Sequence, residues 1–364
     1  MISVDYPGCG SNHSSNINYK VHTSEVILDY RWDKFITGLS GDYHTQACSW
    51  AKMNDLLGWK TARIIVEHNG EIVGGAQVFF KRISSSGALG YVLRGPVLLK
   101  NNQELRAILL NGISSFAMNN NISILFLQPP KDALCWVDEL PELGFHQSKT
   151  TMGLGATVII SLVHDIDDIL MRMSSGTRYN IRICQQKGII IREGTTRDLH
   201  TYYDLVLSTA RRQNFEALPE EFFSVLWASL TEEKHVKLFI AEYKGRTIAG
   251  QLLVAFGDTV VNKLSVWSGE HGDVKPNEAL LWHSICWSKA QGYRFFDLEG
   301  IESDAAESVL NGKPIPDHLR QSLSSFKLGF GGYVMLLPAL YDHVYDPRLR
   351  GFYDNISFSV NMLV

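Results

Sequence analysis

The sequence is short of the features that announce most chemistries. Only five of its 364 residues are cysteines, Cys9, Cys48, Cys135, Cys184 and Cys286, widely spaced and odd in number. No C-x-x-C occurs, so neither a thiolate zinc site nor a redox pair is indicated, and the expectation is reduced, mostly buried thiols of the cytoplasm. The twelve histidines show no H-x-H or H-E-x-x-H spacing, and no nucleophile elbow is present, so no metal and no serine nucleophile are assigned. The apolar runs, ATVII at 156–160 among them, are far below the ~20 residues of a bilayer span. The first residues, MISVDYPGCGSNHSSN, have neither the basic region nor the apolar core of a signal peptide. Basic residues are not in excess: 34 Lys and Arg against 38 Asp and Glu give a formal charge of −4. A nucleic-acid partner would therefore be met by a local patch rather than by the field of the whole chain.

The remaining composition is that of an ordinary globular protein, 45% hydrophobic and 20% charged. At roughly 150 residues per domain, its length allows two or three domains. An internal repeat organises it. ARIIVEHNGEIVGGAQVFF (62–80) and KLFIAEYKGRTIAGQLLVAF (237–256) each read as strand, turn, strand. Gly70 and Gly245 supply the positive φ of a hairpin turn. Gly75 and Gly250, inside the second strands, predict either a bulge or a close backbone approach. Apolar residues at helical spacing follow in 104–120 and 277–292, then short apolar strands at 122–127 and 293–298. The order strand, strand, helix, strand thus occurs twice, about 175 residues apart, which predicts a duplicated domain and not a solenoid.

That order looks like the GCN5-related N-acetyltransferase (GNAT) fold. The pyrophosphate-binding R/Q-x-x-G-x-G/A loop of its acyl-CoA members is missing from both HGDVKPNEALLW (271–282) and LRGPVLLKNNQEL (93–105), which counts against acyl-CoA as donor. Six further stretches, in order, resemble the FemABX family across nearly the whole chain: TQACSWAK (45–52), YVLRGPV (91–97), TRYNIRICQQKGIIIREG (177–194), TARRQNF (209–215), FFDLEGIE (295–302) and FKLGFGG (326–332). That family comprises aminoacyl-tRNA-dependent aminoacyl transferases, best known for building the interpeptide bridge of peptidoglycan. The resemblance implies an α/β (α+β) fold of two tandem GNAT-like domains, residues 1–155 plus 340–364 and residues 156–339. It implies no bound cofactor, an aminoacyl-tRNA donor, and a phosphate-bearing muropeptide or other amine acceptor. The segment after TARRQNF has room for one helix of about 16 residues and no sustained heptads. It therefore resembles the FemX-like branch without a coiled-coil arm, expected to be a cytoplasmic monomer.

The resemblance also assigns roles. Phe326-Lys327 matches the family's Phe-Lys pair, which places Lys327 at the oxyanion of the tetrahedral intermediate, with Phe326 fixing its backbone. Spacing alone reads Lys327 as a surface lysine at a strand start. Gln46, Trp50, Ala51 and Lys52 match the stretch holding the family's phosphate-binding lysine, and Thr209, Arg212 and Phe215 match that of its partner arginine. A lysine and a forked guanidinium suit a diphosphate, and both also suit a solvated helix face. Residues 169–192 hold Arg172, Arg178, Arg182, Lys187 and Arg192 and no acid. Arg178 and Arg182 share a helix face, which offers a tRNA backbone contact at Arg178, Arg182 and Lys187 or simply a solvated surface. Tyr91 and Arg94 match a Y-x-x-[KR]-G-P run, a substrate contact or a turn device. Asp297 and Glu299 alternate on a strand, so they share a face and either act at the substrate amine or pair with a basic residue.

Two departures fall where the acceptor is expected. LFLQPPK supplies Gln128 in place of an aspartate, and NKLSVWSG supplies Lys263, Ser265 and Trp267 in place of tyrosines. Both keep a natural-product or other small-molecule acceptor open beside the muropeptide, with Trp267 as a substrate contact.

Overall fold

The computed structural model describes residues 18–84, 87–131, 135–148, 155–346 and 348. Cys9 and the end of the first expected domain, beyond residue 348, lie outside them. Two sheets dominate. The first runs β1 (Lys20–Ser24), β2 (Lys60–His68), β3 (Glu71–Ser84), β4 (Gly87–Leu93), β6 (Ile122–Gln128), β15 (Tyr341–Val344) and β7 (His146–Gln147), with β5 (Val97–Leu98) paired to β3. The second runs β14 (Tyr333–Leu336), β8 (Ala156–Ser161), β13 (Phe295–Ile301), β12 (Thr259–Trp267), β11 (Arg246–Phe256), β10 (Val236–Tyr243) and β9 (Ile190–Glu193).

The repeat is built as its sequence predicts, with one addition. In both hairpins the two turn residues have positive φ, Asn69 and Gly70 at 52° and 83°, Lys244 and Gly245 at 50° and 74°. This is the twist that antiparallel strands need. A third antiparallel strand, β4 or β12, then precedes the helix, and the helix returns the chain to a parallel partner, β6 beside β4 and β13 beside β12. The helices are Gln103–Asn119 and Pro276–Ala290. Asn102 caps the first by accepting from the Leu105 amide.

Gly75 and Gly250 resolve as close approaches. The register shifts lie elsewhere, at Val66/Glu67 and Ala241/Glu242. A Cβ on Gly75 would meet the Trp32 ring at 2.6 Å, and one on Gly250 the Tyr202 ring at 2.7 Å.

One apolar core joins the two halves. Trp50, Phe79, Tyr91 and Phe126 pack in it with Tyr202, Leu226, Leu238 and Leu252. Each sheet's other face is covered by its own crossover helix: Leu109 and Ile113 pack with Val78 and Leu125 in the first half, Leu281 and Ile285 with Leu253 and Phe296 in the second. Burial on both faces explains the unbroken apolar stretches 64–66 in β2 and 252–256 in β11.

The FKLGFGG stretch corrects an expectation. Lys327 does not open a strand. It sits in the last turn of a helix, Leu323–Leu328, which Ser322 caps by accepting from the Ser325 amide. The glycines do allow close packing. Gly331, at φ 76°, lies so near the carbonyl of Arg172 that an added Cβ would sit 2.2 Å from its oxygen.

Candidate active site

Charged side chains are normally kept in water, yet seven meet in the interior where the halves join. Asp42, Arg94 and Lys131 come from the first half, and Lys263, Asp297, Glu299 and Lys327 from the second. Arg94, just after β4, donates to Asp42 and lies 3.6 Å from Glu299. Lys131 donates to Asp42 at 2.8 Å and also to Asp297. Lys263 on β12 donates to Glu299 on β13 at 3.1 Å. Asp297 further accepts from the Thr157 hydroxyl and, at 2.7 Å, from the Glu299 amide. Buried charge survives only when paired and hydrogen-bonded in this way.

Both carboxylates of β13 enter the cluster, but strand alternation is only part of the reason. Glu299 has φ 56°, and the β13–β8 register shifts between Asp297 and Gly300. Arg94 also has positive φ, 52°. Two non-glycine residues in the left-handed region, facing each other in one cluster, are strain of the kind that concentrates at functional sites.

The electrostatics follow from the pairing. Burial pushes the Asp297 carboxyl up, but Lys131 and Arg94 outweigh it and hold the group at about 2. Glu299 is likewise raised by burial and brought below its ordinary value by Lys263 and Arg94. Lys131 and Lys263 are lowered by burial, with the carboxylates pulling back. His44 donates from Nδ1 to Asp42; burial, then the Lys263 charge, lowers it to about 3 and keeps the ring neutral. Its Nε2 has no hydrogen-bond partner among the described residues.

Lys327 differs from the other cations. It is buried, and its Nζ donates to the carbonyl of Gly300 at 2.8 Å. Among the described residues no carboxylate lies within ion-pair distance of it. Burial lowers its pKa, and Glu299 and Asp297 partly restore it. The result is an ammonium aimed at a backbone oxygen beside the cluster, with donors to spare. Phe326 packs edge-on against Phe330 at 5.3 Å in the second-half core, which fixes this turn of helix. Beside the cluster a cavity of about 180 Å³ opens between the halves, bordered by Asp42, Arg94 and Lys131 on one side and Ile159, Phe295 and Tyr333 on the other.

The remaining expected residues are dispersed. Trp50 and Tyr91 lie in the joint core; the Tyr91 hydroxyl donates to Asn54 at 2.5 Å, and Lys263 approaches the Trp50 ring at 6.0 Å. Lys52 faces outward and pairs with Glu232 at 3.0 Å. Arg212 lies 4.8 Å above the Trp267 ring, near the end of the helix Leu199–Gln213. No contact joins Lys52 to Arg212 among the described residues. Arg178 donates to the carbonyls of Met171 and Met173, while Arg182 is exposed and Lys187 lies 3.6 Å from Asp273. Sequence reasoning gave no role to Asp42, His44 and Lys131, which stand in no recognisable spacing. The hint was chemical: D-Y-H directly precedes TQACSWAK.

Residues 28–244 match the FemAB family, well over half of the chain. Among curated relatives, a lipid II:glycine glycyltransferase of Staphylococcus aureus (strain MRSA252) is 25% identical over 227 residues, 59% of this chain and 54% of the relative. The chain thus spans about half the length of the curated relatives it matches. Among solved structures, FemX superposes with a TM-score of 0.78 at 18% identity, covering 91% of this chain and 99% of its own. A tandem GNAT protein from the clavulanic acid biosynthesis pathway gives 0.53 at 11% identity, covering 91% and 99%. The fold is therefore a pair of GNAT-like units in tandem.

Proposed function

The chain belongs to the FemAB family, and from that premise we propose that it moves an amino acid from aminoacyl-tRNA to the amine of a peptidoglycan precursor. The acceptor nitrogen attacks the ester carbonyl, the carbonyl oxygen takes the negative charge, and collapse expels the tRNA ribose oxygen. One C–N bond forms, one C–O bond breaks, and the proton lost by the amine ends on the leaving hydroxyl. The observation that carries this reading is Lys327: a buried ammonium with no carboxylate partner among the described residues, spare donors and a site at the junction of the halves is suited to an oxyanion. Phe326 holds it in place. Asp297 and Glu299 set the local charge, and Arg94 ties them to the first half.

The acceptor's phosphates are assigned to Lys52 and Arg212, the latter stacked over Trp267, and Trp50 and Tyr91 are assigned to support the site from the core behind it. The tRNA is assigned to the helix Ser175–Lys187, at Arg178, Arg182 and Lys187, where Arg178 braces the start of the helix. Residues 1–155 with 340–364 are taken as one domain and 156–339 as the other, a division supported by the pairing of β15 with β6.

The test is transfer from total charged tRNA to UDP-linked muropeptide, read by product mass. Lys327→Met should lower the rate by about 10²–10³ while leaving circular dichroism and melting unchanged. Wild-type turnover in that variant rejects the mechanism. A product with a small-molecule amine but none with the muropeptide moves the acceptor class and keeps the donor.

A further inference from the structure

A second cavity, of about 330 Å³, lies between the helices Leu199–Gln213 and Glu220–Thr231 and the β11–β12 face. Val206, Phe215, Phe222, Leu226 and Leu252 line it, so its walls are apolar. Lys263 also lines it, and its side chain is only 9% exposed. An ammonium has three donors, and among the described residues Nζ has one acceptor, Glu299. Buried donors of a charged group left without acceptors are costly, which marks the place where a ligand oxygen belongs. The other charged lining residue, Glu216, is exposed to solvent. Glu216 disfavours an anion at its own position, while Lys263, already shared with Glu299, is the one cation among the lining residues and has donors left for an anionic end. The aromatic and aliphatic walls then receive an apolar body.

We propose that this cavity is an acceptor subsite selecting a carboxylate-terminated apolar group, with Lys263 as the specificity-determining residue. The proposal rests on the transferase reading only for the word acceptor; the binding site stands on the cavity and Lys263.

The experiment is calorimetric titration of the full chain with 4-phenylbutanoate and with its neutral isostere, 4-phenylbutanamide. The acid should bind at least about tenfold tighter than the amide, the ratio expected for a hydrogen bond to a charged group against a neutral one. Lys263→Gln should erase that ratio while the amide binds as before. Leu226→Trp, which fills the cavity, should abolish saturable binding of both. Equal binding of acid and amide to the wild-type protein, no saturable binding of either, or an acid preference that survives Lys263→Gln overturns the proposal. The wild-type comparison needs no variant to fold. Because the titration needs neither tRNA nor turnover, its failure alongside successful aminoacyl transfer rejects this subsite alone, and its success without transfer rejects the donor reading alone.

Discussion

At the scale of single residues, the site depends on holding charge states apart inside the protein. Lys327 must be protonated to stabilise an oxyanion, and its folded pKa lies below the ordinary lysine value because burial outweighs Glu299 and Asp297. Activity through this residue is therefore lost as pH rises through that lowered value, earlier than for an exposed lysine. His44 supplies a separate signature. The neutral ring is favoured in the folded state, with a pKa of about 3, while the unfolded chain takes up a proton near 6.5. A depressed folded value means stability is fully present above about pH 6.5 and declines as pH falls from there toward 3. Melting temperature should drop across this window in the wild-type protein and clearly less in His44→Gln. Equal slopes for the two proteins, measured by thermal denaturation at several pH values, would show that the ring does not carry the effect.

At the scale of elements, two segments make sharp predictions. The turn after the lysine-bearing helix depends on Gly331, which combines φ 76° with close packing against the Arg172 carbonyl. Gly331→Ala should cost about 1–3 kcal/mol and displace Lys327, so urea unfolding and transfer activity fall together. Full stability in that variant would mean the turn relaxes at no cost. The second segment is the helix Ser175–Lys187. Its first turn spends Arg178 on the carbonyls of Met171 and Met173, which leaves Arg182 and Lys187 as the more available cations. Arg182→Glu with Lys187→Glu should weaken aminoacyl-tRNA binding and reduce its salt slope by about 2, one for each phosphate no longer neutralised. An unchanged slope would remove this face from the tRNA path. The helix itself is legible in the sequence: Ser174 caps it and Gly188 ends it at φ 74°. What the pattern cannot show is which arginines are consumed locally.

At the scale of the whole molecule, the two halves are joined by an apolar core and by the ionic cluster, and Asp42 ties the two kinds of contact together. It accepts from Arg94, His44 and Lys131, and Lys131 reaches on to Asp297 in the other half. Asp42→Ala leaves two buried cations without this partner, and the expected loss is about 3–5 kcal/mol in urea denaturation. A loss below about 1 kcal/mol would show that water or Glu299 replaces the carboxylate.

By itself, the sequence determined the repeat, the hairpin turns, the tandem GNAT-like fold and the stretches that identify the family. These are local properties: φ > 0 at Gly70 and Gly245, apolar periodicity, and short motifs in order. Only the tertiary structure decided that Lys327 ends a helix and is buried, that Arg192 is consumed by Asp198 and Glu242, and that Asp42, His44, Lys131, Lys263, Asp297 and Glu299 share one site. The reason is physical. A buried ion pair is specified by distance in space, and Asp42 and Asp297 meet the same lysine although 255 residues of chain separate them, so no window along the sequence contains the pattern.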